Sequence, residues 1–159
     1  MTADVSYAFE IALHARPGGL GAGPPYEDAW GRWATLAVSP EALNTPFAVD
    51  FDEALRRLGE LERLFVEPDG ALLWRAAAVD GVWQVDGNAW ERDRRVVRID
   101  LSGTCPAPAF DRLLAACGWP GQAVMVQLLR PAVVLDEPTF RKHAVARARG
   151  LSGEALRPG

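Results

Sequence analysis

The stretch with the most evident chemistry is AVVLDEPTF, Ala132 to Phe140, where four apolar residues lead into Asp136 and Glu137. Two carboxylates at the end of a buried strand can hold magnesium and polarise water for nucleotide hydrolysis. They do so opposite a phosphate-cradling GxxxxGK[ST] loop, whose lysine is indispensable. The only lysine, Lys142, lies downstream of the pair, so that loop is missing. The same letters suit a strand running into a helix, with Asp136 as cap, Glu137 at the positive end of the helix dipole and Pro138 in the first turn. The expectation is structural: a helix from Glu137 and no phosphate site facing it.

Cys105, in SGTCPAPAF, stands just before a helix start, where the partial positive charge favours a thiolate. A cysteine nucleophile also needs a base, and His14 and His143 are the only histidines. The catalytic alternative is therefore a thiol-dependent enzyme with Cys105 as nucleophile, His14 or His143 as base and an acidic residue as orienter. Zinc shared by Cys105, Cys117 and both histidines is a further alternative, and small buried or capping thiols are the simplest reading. The two cysteines are 12 residues apart, about 18 Å along a helix at ~1.5 Å per residue, which is beyond disulfide reach.

No cofactor or metal is expected. The run GGLGAG, Gly18 to Gly23, meets Pro24-Pro25 instead of opening a helix, so it lacks the amide cluster that would hold a phosphate. It reads as a mobile loop able to close over a partner. Asp80, Asp86, Glu91 and Asp93 crowd one segment without the order of a calcium loop, and Asp-Gly turns account for two of them. The GxSxG, HExxH and CxxC patterns are absent.

Binding is better represented than catalysis. Six tryptophans are present, and Trp74, Trp83 and Trp90 share one segment with Arg98. Large aromatics and arginine serve cores and recognition surfaces alike. The last helix sets Arg141, Lys142, Arg147 and Arg149 around Phe140, Ala144 and Ala148, but a pI near 5.2 speaks against a dedicated nucleic-acid binder. Nucleic-acid contact through that helix is a third reading, and a solvated face is the simpler one. The preferred expectation is a non-catalytic accessory, adaptor or immunity-type module. It would bind a protein through the Trp74, Trp83, Trp90 and Arg98 surface and the Arg16 to Asp28 loop.

The elements that must position these groups follow from spacing. Val5 to Ala15 alternates as a strand, and Trp33 to Val38 suits a second one. Phe51, Leu55 and Leu58 keep a helical stripe from Phe51 to about Phe65, capped by Asp50 with Glu53 reaching back. Asp69-Gly70, Asp80-Gly81 and Asp86-Gly87 punctuate Val-, Leu- and Trp-rich runs, so residues 63 to 102 read as an antiparallel meander of three or four strands. Pro106 or Pro108 opens a second helix that Gly118 stops. Gln122 to Leu129 and Ala132 to Leu135 are extended, and a final helix ends at Gly150.

The sum is an α+β fold, a meander packed with two or three helices. A chain of 159 residues, 49% apolar, suits a single domain over residues 1–150, leaving residues 151–159 as a disordered tail. Residues 1–90 carry 14 acidic and 6 basic side chains, and residues 91–159 carry 7 and 11. Sixteen arginines against one lysine fit a GC-rich bacterial genome. The acidic start without a long apolar run predicts no signal peptide, and no segment reaches the ~18 apolar residues of a membrane span. A cytoplasmic protein with reduced cysteines is expected.

Overall fold

The computed structural model describes residues 5–78 and 81–156. Its strands are β1 (Ser6–Ala15), β2 (Tyr26–Asp28), β3 (Gly31–Trp33), β4 (Leu64–Val66), β5 (Ala71–Ala78), β6 (Gly81–Arg92), β7 (Arg95–Pro106), β8 (Val124–Leu128) and β9 (Val133–Asp136). Its helices are α1 (Phe51–Gly59), α2 (Ala107–Ala116) and α3 (Glu137–Leu156). Seven strands form one antiparallel sheet in the order β4-β5-β6-β7-β1-β8-β9, and β2 and β3 form a small hairpin. This is the α+β domain that the spacing implied, with the meander resolved into four strands, β4 to β7. Among the described residues no helix is long and apolar enough to cross a membrane.

The core forms where apolar rows of the sheet meet the helices. Directly opposed residues of antiparallel strands face the same side, so Trp74, Val85, Gly103 and Phe9 make one row and Ile99 and Leu13 belong to another. Phe110 of α2 and Phe140 of α3 meet Tyr7 and Phe9 of β1 at ring-centroid distances of 5.5–6.2 Å. Each buried large side chain of this kind is worth about 1.5–3 kcal/mol. Asp50 caps α1 by accepting the Asp52 amide, while Glu53 turns to Arg56 and Arg57 instead of reaching back.

Two of the turn and stop assignments change. Asp69-Gly70 does turn between β4 and β5, with Gly70 at φ +98°. Asp86-Gly87, however, runs inside β6, opposite Leu73, Leu72, Ser102 and Leu101. Glycine is needed at position 87 for close approach, because a Cβ there would sit 1.9 Å from the Asp100 carbonyl oxygen. The β6–β7 turn is made instead by Asp93 and Arg94, whose φ values of 51° and 67° are the paired positive values of a type I′ hairpin. Asp80 lies outside the described residues. Gly150 does not stop α3, which continues to Leu156, so the frayed segment expected from residue 151 is helical that far. Gly150 instead admits a neighbour: a Cβ there would lie 2.3 Å from Trp30 Nε1.

The two edges of the large sheet are treated differently. Beyond β9, the Leu36 amide donates to Val134 and the Ala37 amide donates to Gly21, so two further segments lie along that edge. The Gly23 amide donates to Thr35, and the Thr35 hydroxyl donates to Pro24. The Gly21–Gly23 end of the glycine-rich loop is therefore fixed as an edge cover through the Gly21 carbonyl and the Gly23 amide, where a freely mobile loop was expected. Beyond β4, no further strand pairs among the described residues.

Candidate functional site

The carboxylates of AVVLDEPTF do structural work. Asp136 ends β9 and its Oδ1 accepts the Thr139 amide at 2.8 Å, capping α3, while Glu137 pairs with Arg141 one turn on at 2.8 Å. Arg141 also donates to the Tyr7 hydroxyl and contacts Asp111, which ties α3 to β1 and α2. Of the basic side chains of this helix, Lys142 and Arg149 are the exposed ones.

The candidate thiol site is dispersed. Cys105 is buried opposite Tyr7, and burial, only partly offset by Arg112, pushes its thiol up to about 12. His14 lies seven residues from Tyr7 along β1, roughly 23 Å away at ~3.3 Å per residue. Its Nδ1 meets the Leu43 carbonyl at 3.1 Å and its Nε2 meets the Gln127 side-chain oxygen Oε1 at 2.9 Å, so it fastens the 42–44 turn to the sheet. Desolvation, outweighing those hydrogen bonds, lowers its pKa and favours the neutral ring. A neutral ring donates to Leu43 and accepts from Gln127 with the amide group turned to suit. Cys117 is buried as well, its thiol pushed by burial up to about 12. Among the described residues no three His, Cys, Asp or Glu side chains gather as a metal site.

The tryptophans of the meander divide. Trp74 is core, 2% exposed, with its indole N–H donating to the Glu62 carbonyl at 2.9 Å and its ring edge-on to Trp83 at 5.0 Å. Trp83 is half-buried, and with Trp74, Ala76, Ala77, Arg63 and Arg112 it lines a cleft of about 510 Å³ where β5 runs past the end of β4. Trp90 is 51% exposed; its indole N–H and the Arg98 guanidinium each donate to one oxygen of Asp100, at 2.9 and 2.7 Å. The structure thus places Trp74 and Trp83 at one cleft and Trp90 with Arg98 on the outer face of the sheet.

A second constellation joins residues that sequence reasoning kept apart. Asp28, at the end of β2, accepts at Oδ1 from the Trp30 amide (2.9 Å) and from Trp33 Nε1 (3.0 Å), and its Oδ2 faces His143 Nε2 at 2.8 Å. Burial would raise the Asp28 carboxyl, but the bonds from Trp33, His143 and the Trp30 amide together hold it below its ordinary value. Trp30 and Trp33 stand edge-on to the buried His143 ring at 5.9 and 5.0 Å, and Arg147 lies over Trp30 at 5.6 Å. His143, Arg147 and Gly150 follow one another at helical spacing, so they form one stripe of α3 fitted to the β2–β3 hairpin. That stripe beside the doublet Trp30 and Trp33 was the available sequence signal.

No protein-family model, curated protein or solved structure matches the chain.

Proposed function

We propose that the protein is a non-catalytic binding module that takes up an extended segment of a protein partner along the β4–β5 edge of its sheet. The difference between the two edges carries this reading, since β9 is covered by the 21–37 segments and no strand pairs beyond β4 among the described residues. An uncovered edge presents unpaired N–H and C=O groups to which a partner strand can add, with flanking pockets supplying specificity.

Apolar side chains flank that edge on both faces. Phe65, 73% exposed, stands opposite Leu73, 39% exposed, on the outer face, and the Trp83-lined cleft opens where β5 outruns β4. Exposed aromatic and aliphatic groups beside an open edge suit a partner that buries them. Trp90 and Arg98 lie farther along the outer face and extend the same surface. The buried thiols and the internal engagement of Arg141 give no comparable support to a thiol enzyme or a nucleic-acid contact.

The test is affinity capture from cells of the source organism with the wild type, Phe65→Glu and Trp83→Ala, each checked for folding by thermal denaturation. A specific partner retained by the wild type and depleted at least ten-fold by Phe65→Glu is the expected result. The same proteins held equally by all three chains contradicts it. Self-association that Phe65→Glu abolishes would identify the partner as a second copy.

A further inference from the structure

A second cleft, of about 250 Å³, lies between the β2–β3 hairpin, the β8–β9 turn and α3. Phe9, Tyr26 and Leu129 give it apolar walls, and Glu10, Arg130 and Arg147 bring charge to it. At ~30 Å³ per water its volume equals about eight waters, below the ~300–1,000 Å³ of drug-sized pockets. A ligand here is the size of a single ring with one polar substituent.

The polar groups are unequally satisfied. Asp28 already accepts from three donors and has little capacity left. Glu10 faces Arg130 at 3.2 Å. Arg147 differs: its side chain is 21% exposed and its ion pair, with Glu10 Oε1, is long at 3.9 Å. A guanidinium carries five N–H donors in a planar fork, and one long ion pair leaves some of them free to face the cleft. The Arg147 guanidinium lies 5.6 Å from the Trp30 ring centre, which adds a cation–π contact. The free donors suit an anionic, planar, two-oxygen acceptor, which is the geometry of a carboxylate.

We propose that this cleft binds a small monocarboxylate with an apolar body, the carboxylate on Arg147 with Arg130 beside it and the body against Phe9, Tyr26 and Leu129. The site is separate from the β4–β5 edge, so its failure would leave the binding-module reading untouched, and the reverse also holds. Trp30 makes it observable, since its indole N–H sits beside Gly150 and its ring carries Arg147.

The test is a titration of the full chain followed by the ¹H–¹⁵N signal of the Trp30 indole, assigned by its loss in Trp30→Phe. The probes are benzoate, phenylacetate and hexanoate, with benzamide as the uncharged isostere and inorganic phosphate as the anion without an apolar body. Saturable binding of at least one carboxylate is expected, with benzamide and phosphate at least ten-fold weaker. Arg147→Gln should weaken it at least ten-fold, Arg147→Lys should fall between, and Arg149→Gln, exposed on the same helix, should leave it unchanged. No saturation by any of the three carboxylates up to about 10 mM, well past millimolar affinity, would overturn the proposal. Equal binding of benzamide or of phosphate would do so too, as would an Arg147→Gln chain that keeps its stability and its affinity.

Discussion

Two pairs of tryptophans flank the sheet and are used in opposite ways. Trp74 and Trp83, on the β4–β6 wing, meet edge-on at 5.0 Å, and the indole N–H of Trp74 goes to a backbone carbonyl. Trp30 and Trp33, on the α3 wing, meet His143 and share the Asp28 carboxylate through an amide and an indole N–H. The first pair is packing that ends at a bare edge. The second is a polar latch that fastens a hairpin to a helix beside a covered edge. The same residue type thus gives an apolar anchor where two indoles pack on each other and a network member where a carboxylate and an imidazole share its space.

The largest effect expected from breaking this comparison is on the apolar side. Trp74→Ala should destabilise the fold by about 3–5 kcal/mol, through lost burial and the cavity left behind, as read by urea denaturation. On the polar side, Asp28→Ala leaves three donors without their acceptor, and a loss of about 1.5–3 kcal/mol is expected. Because the folded state holds the Asp28 carboxyl below its ordinary value, its contribution is complete above the ordinary carboxylate range and is lost as pH falls through the lowered value. The stability gap between wild type and Asp28→Asn should therefore close at acid pH, as the carboxylate takes up its proton.

Gly150 sharpens the contrast at a smaller scale. In an ordinary helix Gly→Ala stabilises by roughly 1 kcal/mol. Here the added methyl would meet the Trp30 ring, so Gly150→Ala should cost about 1–3 kcal/mol. In a Trp30→Ala background the sign should reverse, and a double-mutant cycle reads the coupling directly. Smallest of all, Phe65→Glu should change stability by less than about 0.5 kcal/mol, as expected of an exposed side chain, while abolishing partner capture.

What the sequence disclosed was local. Asp136 as a cap, Asp50 as a cap and the Asp69-Gly70 turn depend on residues within a few positions, and the structure bears them out. Asp86-Gly87 misled because the same dipeptide serves a turn or a strand interior, and only the approach of the Asp100 carbonyl from β7 decides between them. Gly150 misled in the same way, since Trp30 is 120 positions earlier. The latch was illegible because Asp28 and His143 lie 115 residues apart and meet only once β1 is seated between β7 and β8. Alternation along β5 and β6 could mark one face for Trp74 and the other for Trp90, but which face the helices cover is settled by tertiary packing.

The most direct test of the bare-edge account is photo-crosslinking in source cells, with benzoylphenylalanine placed at Phe65 on the open wing or at Leu129, also partly exposed, on the latched wing. A discrete protein adduct is expected from Phe65, and none of comparable yield from Leu129. Adducts of equal yield from both positions, or from Leu129 alone, would contradict it.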